Sequence, residues 1–159
     1  MAAKIFLLSG GAIFGCVSLV IKVGDFTVHR VDGPSMRPTL NPCGSNFSDF
    51  LAVRRIRKKE EIESINVSSI LCITHPKQER AYLVKRLVAN QNEKISIQNF
   101  HKIETKDSVK IIPKGHCWVE SDAGPGFLDS TSYLGPIPYK MIVGKALYVI
   151  WPPHRIKKL

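Results

Sequence analysis

The stretch AYLVKRLVA, residues 81–89, is the strongest strand signal in the sequence, and it also carries two adjacent cations. Leucine and valine surround Lys85 and Arg86, as is typical of a half-buried strand. Alternation along a strand directs these two side chains to opposite faces, so at most one of them is plainly solvated. The stretch therefore predicts a strand that can carry one cation into apolar surroundings.

Similar runs recur along the chain, separated by turns rich in glycine, proline and asparagine. Helical periodicity is hard to find after residue 25, and residues 58–65 predict either a short helix or a charged loop. We therefore predict a mostly β domain over residues 25–159. The remaining strand-like runs are residues 26–31, 50–56, 68–74, 94–98, 109–113, 116–120 and 141–151.

The N-terminal segment at residues 5–21 has seventeen consecutive uncharged residues between Lys4 and Lys22. As a helix it would span roughly 25 Å, near the lower limit for crossing a bilayer. A cleaved secretory signal lacks support because no clear cleavage site follows. A buried soluble helix would alternate with polar positions. We therefore predict a single transmembrane helix as an anchor within residues 1–24, with an orientation that the flanking charges do not fix.

The chain is basic throughout, with 159 residues, 23 lysines and arginines, and a formal net charge of +10. Its length fits one domain and a small appendage, and its ordinary composition excludes full disorder and a polytopic membrane protein. The charge favours an anionic neighbour, either nucleic acid or a lipid surface. The basic run at residues 54–59 lacks interleaved aromatic residues, which favours a solvated face near a membrane over a nucleic-acid site.

The sequence gives no reason to expect a metal or an organic cofactor. It contains no glycine-rich phosphate loop and no HExxH motif. The cysteines at positions 16, 43, 72 and 117 are expected to be free thiols. A zinc site built from them would lack the usual paired spacing of ligands.

A serine between two prolines is the first candidate for chemistry, in the segment GPSMRPTL at residues 33–40. The prolines restrict the backbone around Ser35, and Gly33 permits close approach of another group. If Lys85 is desolvated, its pKa falls and its neutral amine can serve as a general base for a serine. The alternative is that Ser35 lies in an ordinary proline-rich turn and that Lys85 is exposed. The separation of fifty positions between Ser35 and Lys85 favours neither interpretation.

Three segments of the sequence, taken together, strengthen the first interpretation. The box GPSMRPTLNP at residues 33–42, VKRL at 84–87 and the tail WVESD…LDS…GPIP…WPP resemble the type I signal peptidase family, in particular its mitochondrial branch. The resemblance extends from Val31 to Leu159. It implies a β-rich serine endopeptidase domain with an N-terminal membrane helix, held at the mitochondrial inner membrane and facing the intermembrane space. The implied substrates are precursor polypeptides with sorting presequences, and the implied partner is a sister peptidase subunit in a heterodimer.

The resemblance also implies roles for individual residues. Ser35 matches the nucleophile, whose N–H would donate to the oxyanion, and Lys85 matches the general base. The strand at 81–84 would pair with an extended substrate. The positions that match the pocket for the residue before the cut are Met36, Leu40, Leu83 and Val84, and those that match structural support are Gly33, Arg86, Asp122, Asp129 and Ser130.

Several positions depart from the family pattern. The last box begins Ser121-Asp122-Ala123 where the family has Gly-Asp. Phe127 stands where a serine often bonds the lysine amine, and Thr131 cannot form a salt bridge with Asp129. The departures leave a second hypothesis open, a catalytically weak or inactive subunit that stabilises a sister peptidase. A third, a membrane-tethered nucleic-acid binder, has only the charge in its favour. The sequence does not reveal which precursors are cleaved or which residue precedes the cut.

Overall fold

The computed structural model of the chain describes residues 4–6, 20–97 and 108–159. Twelve strands occur in these residues. They are β1 Lys4–Phe6, β2 Val20–Val23, β3 Phe26–Arg30, β4 Phe50–Arg55, β5 Ile70–Thr74, β6 Tyr82–Ala89, β7 Lys94–Ile97, β8 Ser108–Ile111, β9 His116–Glu120, β10 Ile137–Pro138, β11 Ile142–Trp151 and β12 Lys157–Lys158. The helical elements are short: α1 Lys59–Glu63, a π-helical turn Ser130–Leu134, and 3₁₀ turns at Tyr139–Met141 and Pro153–Arg155.

The strands form one large antiparallel sheet and a separate hairpin. The order in the large sheet is β1-β2-β3-β4-β11-β5-β6-β9-β10. Strand β12 pairs with Tyr148 and Val149, in the second half of β11. The hairpin consists of β7 and β8. Because almost all regular structure in the described residues is strand, the predicted mostly β fold is confirmed.

Strand β5 lies between two apolar layers. Leu71 and Ile73 belong to one buried cluster, whereas Ile70 and Cys72 belong to another on the opposite face. Neighbouring β6 alternates in the same way, with Leu87 in the first cluster and Val84 packed against the second. A strand between two apolar layers can bury a side chain on either face, and this is how the sheet buries a cation on β6.

The N-terminal segment differs from the expectation at both ends. Residues 4–6 and 20–23 are strands that pair with each other, and β2 also pairs with β3. The predicted helix over 5–21 therefore does not hold at 5–6 and 20–21, and residues 7–19 lie outside the described residues. Isoleucine, valine and phenylalanine favour strands, and an apolar run alone does not distinguish strand from helix. In the described parts of the chain, no helix is long and apolar enough to cross a bilayer.

Candidate active site

Ser35 lies on a tight loop that follows β3. The loop begins with Gly33, whose φ of +90° is in the region that favours glycine. The Arg37 N–H donates to the Pro34 carbonyl at 3.0 Å, and the Leu40 N–H donates to the Met36 carbonyl at 2.8 Å. Ser35 in this loop is half-buried, so part of it is accessible to solvent.

A buried polar cluster holds this loop in place, and we call Asn41, Asp49 and Arg155 the loop clamp. Asp49, fully buried just before β4, accepts bonds from Arg155 Nε at 2.7 Å and Nη2 at 2.9 Å. It also accepts from the Asn41 backbone N–H at 2.9 Å. The Asn41 side chain in turn donates to the Val31 carbonyl at 2.7 Å. The C-terminal tail and the start of β4 thereby fix both ends of the serine loop.

Lys85 is buried in the middle of β6, with only 2% of its surface exposed. In the sheet register it lies beside Leu71 of β5. Its Nζ donates a hydrogen bond to Ser121 Oγ at 3.1 Å, and the Phe127 ring centroid is 5.9 Å from the same nitrogen. Among the described residues, no hydrogen bond joins this amine to the Ser35 hydroxyl.

The surroundings of Lys85 change its protonation. Burial lowers the pKa of Lys85 from 10.5 to about 8, although the charges of Asp129 and Asp122 act in the opposite direction. An amine with that pKa is neutral in about one molecule in ten at pH 7, compared with fewer than about one in a thousand for an ordinary lysine. A neutral amine has a lone pair, so it can accept a proton.

Ser121 connects the amine to a buried carboxylate. Its hydroxyl donates to Asp129 Oδ2 at 2.6 Å, and its backbone N–H donates to the same oxygen at 3.1 Å. Asp129 Oδ1 accepts from the N–H groups of Thr131 and Ser132, which begin the π-helical turn. In the sequence, Ser121 is recognisable only as a departure from the family pattern. In the structure it supplies a hydroxyl to the lysine, while position 127 supplies an aromatic ring.

Arg86, next to Lys85, is paired directly with a carboxylate, whereas Lys85 contacts a hydroxyl. Its guanidinium makes two bonds to Asp122, at 2.7 Å from Nε and 2.6 Å from Nη2. These bonds raise the pKa of Arg86. Burial raises the pKa of Asp122, but the hydrogen bonds from Arg86 and Thr39 outweigh it, so the carboxyl pKa lies below its usual value. Arg86 and Asp122, two of the positions matched to structural support, thus bind each other.

The segment after β9 also contacts the serine loop directly. The Ala123 N–H donates to the Ser35 carbonyl at 3.0 Å. Ser121, which holds the lysine amine, is only two residues away. Ser130, in contrast, has a structural contact, because its hydroxyl accepts from the Val119 N–H at 3.0 Å and so ties the turn to β9.

A cleft of about 60 Å³ lies beside Ser35. The first half of β6 forms one wall, and the end of β3 with the serine loop forms the other. Strand β9 pairs only with the second half of β6, from Arg86 onward, so the described residues leave one edge of Tyr82–Lys85 without a strand partner. Such an edge can pair with an extended peptide. The cleft is lined by His29, Arg30, Val31, Asp32, Ser35, Met36, Tyr82, Leu83 and Val84.

Three of the four expected pocket residues line this cleft, namely Met36, Leu83 and Val84. Leu40 does not line it and is instead fully buried in the core. No sequence pattern pointed to His29, which also lines the cleft and whose Nε2 lies 2.9 Å from the Thr27 hydroxyl. Burial lowers the pKa of His29 to about 4, so its ring contributes no charge to the cleft at neutral pH.

Comparison with known proteins identifies the family. The family model described as signal peptidase, peptidase S26, matches residues 4–103. The chain belongs to this family. The matched residues include both Ser35 and Lys85, so the resemblance predicted from the sequence boxes is confirmed.

Similar proteins align with most of the length of this signal peptidase family member. Mitochondrial inner membrane protease subunit 2 of Mus musculus is 31% identical over 133 residues, which are 83% of this chain and 71% of that protein. Subunit 1 of Homo sapiens is 30% identical over 153 residues, 94% of this chain and 84% of that protein. Subunit 2 of Saccharomyces cerevisiae is 28% identical over 157 residues, 97% and 85% respectively. The family and these relatives support a protease role.

Among the described residues, no cysteine of this family member hydrogen-bonds to Ser35 or Lys85, although Cys72 Sγ lies 3.8 Å from Nδ1 of His29 in the cleft wall. Cys43 is exposed, whereas Cys72 and Cys117 are buried free thiols. Burial raises the pKa of each buried thiol to about 12, which keeps it protonated. Cys16 lies outside the described residues. No group of three or more potential metal-ligating side chains occurs in the part of the chain that the structure describes.

Proposed function

We propose that this protein is a membrane-anchored serine endopeptidase in which Ser35 is the nucleophile and Lys85 the general base. The buried Lys85 amine carries the proposal, because it contacts a hydroxyl rather than a carboxylate and has a pKa of about 8. A lysine kept only for structure would gain more from direct pairing with an acid, as Arg86 does. Membership of the signal peptidase family supports the same assignment.

The reaction proceeds through an acyl-enzyme. Neutral Lys85 takes the hydroxyl proton of Ser35, whose oxygen attacks the scissile carbonyl carbon. The Ser35 N–H stabilises the oxyanion. As the carbon–nitrogen bond breaks, the lysine ammonium gives its proton to the leaving amine. Water then attacks the ester, Lys85 takes a proton from that water, and the proton returns to Ser35 as the acid product leaves.

We propose that the substrate is an extended polypeptide that adds to the free edge of β6. Main-chain hydrogen bonds to Tyr82–Val84 would hold it, and the small cleft would accept the side chain before the cut. The relatives' names support two further parts of the proposal, a location at the mitochondrial inner membrane and a sister peptidase subunit as partner. That the substrates are precursors sorted to the intermembrane space is proposed from the family resemblance.

Two features support attachment to a lipid surface. The uncharged stretch at residues 5–21 is one of them. The other is a set of exposed aromatic residues on β3 and β11, namely Phe26, Tyr148 and Trp151. In the sheet register Arg54 lies beside Phe26, and Lys145 lies on the other side of Arg54. Aromatic and basic residues together favour the interface of an anionic bilayer. We expect the full chain to float with vesicles that contain anionic lipid. A chain that stays in the soluble fraction would contradict attachment.

The decisive variants are Ser35→Ala and Lys85→Ala, assayed on a presequence peptide with the purified full chain. Each should abolish cleavage. The matched controls are Ser64→Ala and Lys94→Ala, which change exposed residues that do not line the cleft and should cleave normally. Unchanged turnover in Lys85→Ala would reject the mechanism. If the wild-type chain were inert but stabilised an active sister subunit, the structural-subunit hypothesis would replace it.

A further inference from the structure

We propose that Ser121 is a positioning residue for the catalytic amine: its hydroxyl, held by Asp129, sets the direction of the Lys85 side chain. This inference rests on the proposed function. It assigns a role to a residue whose position, by the family resemblance, is expected to hold glycine.

The hydroxyl of Ser121 has a fixed direction. Asp129 receives bonds from four donors, two from Ser121 and one each from the Thr131 and Ser132 N–H groups. Both carboxylate oxygens therefore act as acceptors, and the Ser121 hydrogen must point at Asp129 Oδ2. The remaining lone pairs of Ser121 Oγ can only accept, so the 3.1 Å contact is donated by Lys85.

This direction matters for the neutral amine. With one N–H directed to Ser121, the lone pair of Lys85 must point away from that hydroxyl. A hydroxyl free to turn could instead donate to the lone pair and block it. By accepting the Ser121 hydrogen, Asp129 prevents that competition. The carboxylate is 1% exposed and also caps the π-helical turn, so its own orientation is fixed.

The same short segment positions the nucleophile. Ala123, two residues after Ser121, donates its N–H to the Ser35 carbonyl at 3.0 Å. Asp122, between them, binds Arg86. One segment of three residues thus contacts the serine loop, the lysine and its neighbouring arginine. A shift of this segment would change both sides of the dyad together.

The inference predicts the direction of a pKa change. The charged groups that act on Lys85 are Asp129 and Asp122, both following β9, whereas β5 presents apolar Leu71. An ammonium is a stronger donor than a neutral amine, so the bond to Ser121 favours the protonated form. Loss of the hydroxyl should therefore lower the pKa of Lys85. Loosened packing that admits water would instead raise it toward 10.5.

The test compares Ser121→Ala with wild type in the full chain, using cleavage of a presequence peptide across pH. We expect kcat to fall about 10- to 100-fold with KM within about twofold, because orientation of the base is lost. The midpoint of the pH–rate profile should move below that of the wild type. Ser130→Ala, which removes another buried serine hydroxyl, should leave the midpoint unchanged. An unchanged kcat and midpoint in Ser121→Ala, or a midpoint that moves toward 10.5, would overturn the inference.

A second pair of variants guards against misfolding. Ser121→Thr keeps the hydroxyl and Ser121→Val has the same shape without it, so the threonine variant should retain most activity and the valine variant should not. Equal activity of the two would contradict the inference. NMR titration of the Lys85 side chain, assigned by its loss in Lys85→Arg, reads the pKa without turnover. If wild type does not cleave, the proposed function fails, while a Lys85 pKa lowered in Ser121→Ala still supports the contact and an unchanged one rejects it.

Discussion

Two buried polar clusters of this molecule place a carboxylate near a cation, but in different ways. In the loop clamp, Asp49 meets Arg155 directly at 2.7 and 2.9 Å, and these bonds raise the pKa of Arg155. In the second cluster, Ser121 stands between Asp129 and Lys85, and burial lowers the pKa of the lysine. Direct pairing stabilises a permanent charge and holds a loop. An interposed hydroxyl orients the amine yet leaves it able to lose its proton.

Replacing the amine should produce the largest effect and separate stability from activity. Lys85→Met should reduce kcat/KM by about 10⁴-fold or more, as loss of a nucleophile's base does. The same variant should gain about 3 kcal/mol of stability at pH 7, since a pKa lowered from 10.5 to about 8 marks a cost of burial. Urea unfolding measures this gain.

The pH dependence of that gain has a definite sign. Between about pH 8 and 10.5 the unfolded chain holds a proton on Lys85 that the folded chain has lost, so wild-type stability rises with pH in this window. The advantage of the methionine variant should be full below pH 8 and disappear by about 10.5. If the methionine variant were less stable than wild type at pH 7, the contacts of the buried Lys85 ammonium would outweigh the cost of burying it, which would contradict this prediction.

Breaking the loop clamp should lower the stability of the fold rather than act on the catalytic base. Arg155→Ala leaves the fully buried Asp49 carboxylate without its guanidinium, which should cost about 3–5 kcal/mol of unfolding free energy. The control is Arg57→Ala, whose ion pair with Asp25 is exposed on both sides and should contribute less than about 1 kcal/mol. Similar losses in the two variants would show that the clamp is no stronger than a surface pair.

A smaller effect is expected at the pair next to the amine. Asp122→Asn weakens the contact with the partly exposed Arg86 and should cost about 1 kcal/mol. Because the Asp122 charge raises the pKa of Lys85, its removal should also move the midpoint of the pH–rate profile slightly downward. A midpoint that moved upward would indicate that water had entered the site.

Local patterns in the sequence were sufficient to predict part of the fold and of the candidate site. The strand at residues 81–89 and its two opposed cations follow from alternation, and β6 confirms them. The pairing of Asp49 with Arg155 was not predictable, because 106 residues separate them and no local pattern joins them. The role of Ser121 was hidden for a similar reason: its partners, Lys85 and Asp129, come together only when β9 pairs with β6.

The N-terminal stretch shows a different limit of prediction from sequence. A continuous apolar run has no period, so only its length favours a membrane helix, and length does not exclude that its ends form buried strands. In the described residues its two ends pair with each other and with β3. Leu40 illustrates the same difficulty for pockets, since a leucine that matches a pocket position and a leucine in the core have the same sequence signature.

The pH dependence of Ser35 acylation is the sharpest test of Lys85 as the base for Ser35. The full chain is mixed with an activated ester of a presequence peptide, and mass spectrometry follows the acyl group on the Ser35 peptide before hydrolysis. We expect the acylation rate to rise with pH through a midpoint near 8, set by loss of the Lys85 proton. Acylation at another residue, or a rate at Ser35 that does not change between pH 6 and about 9.5, would contradict the account.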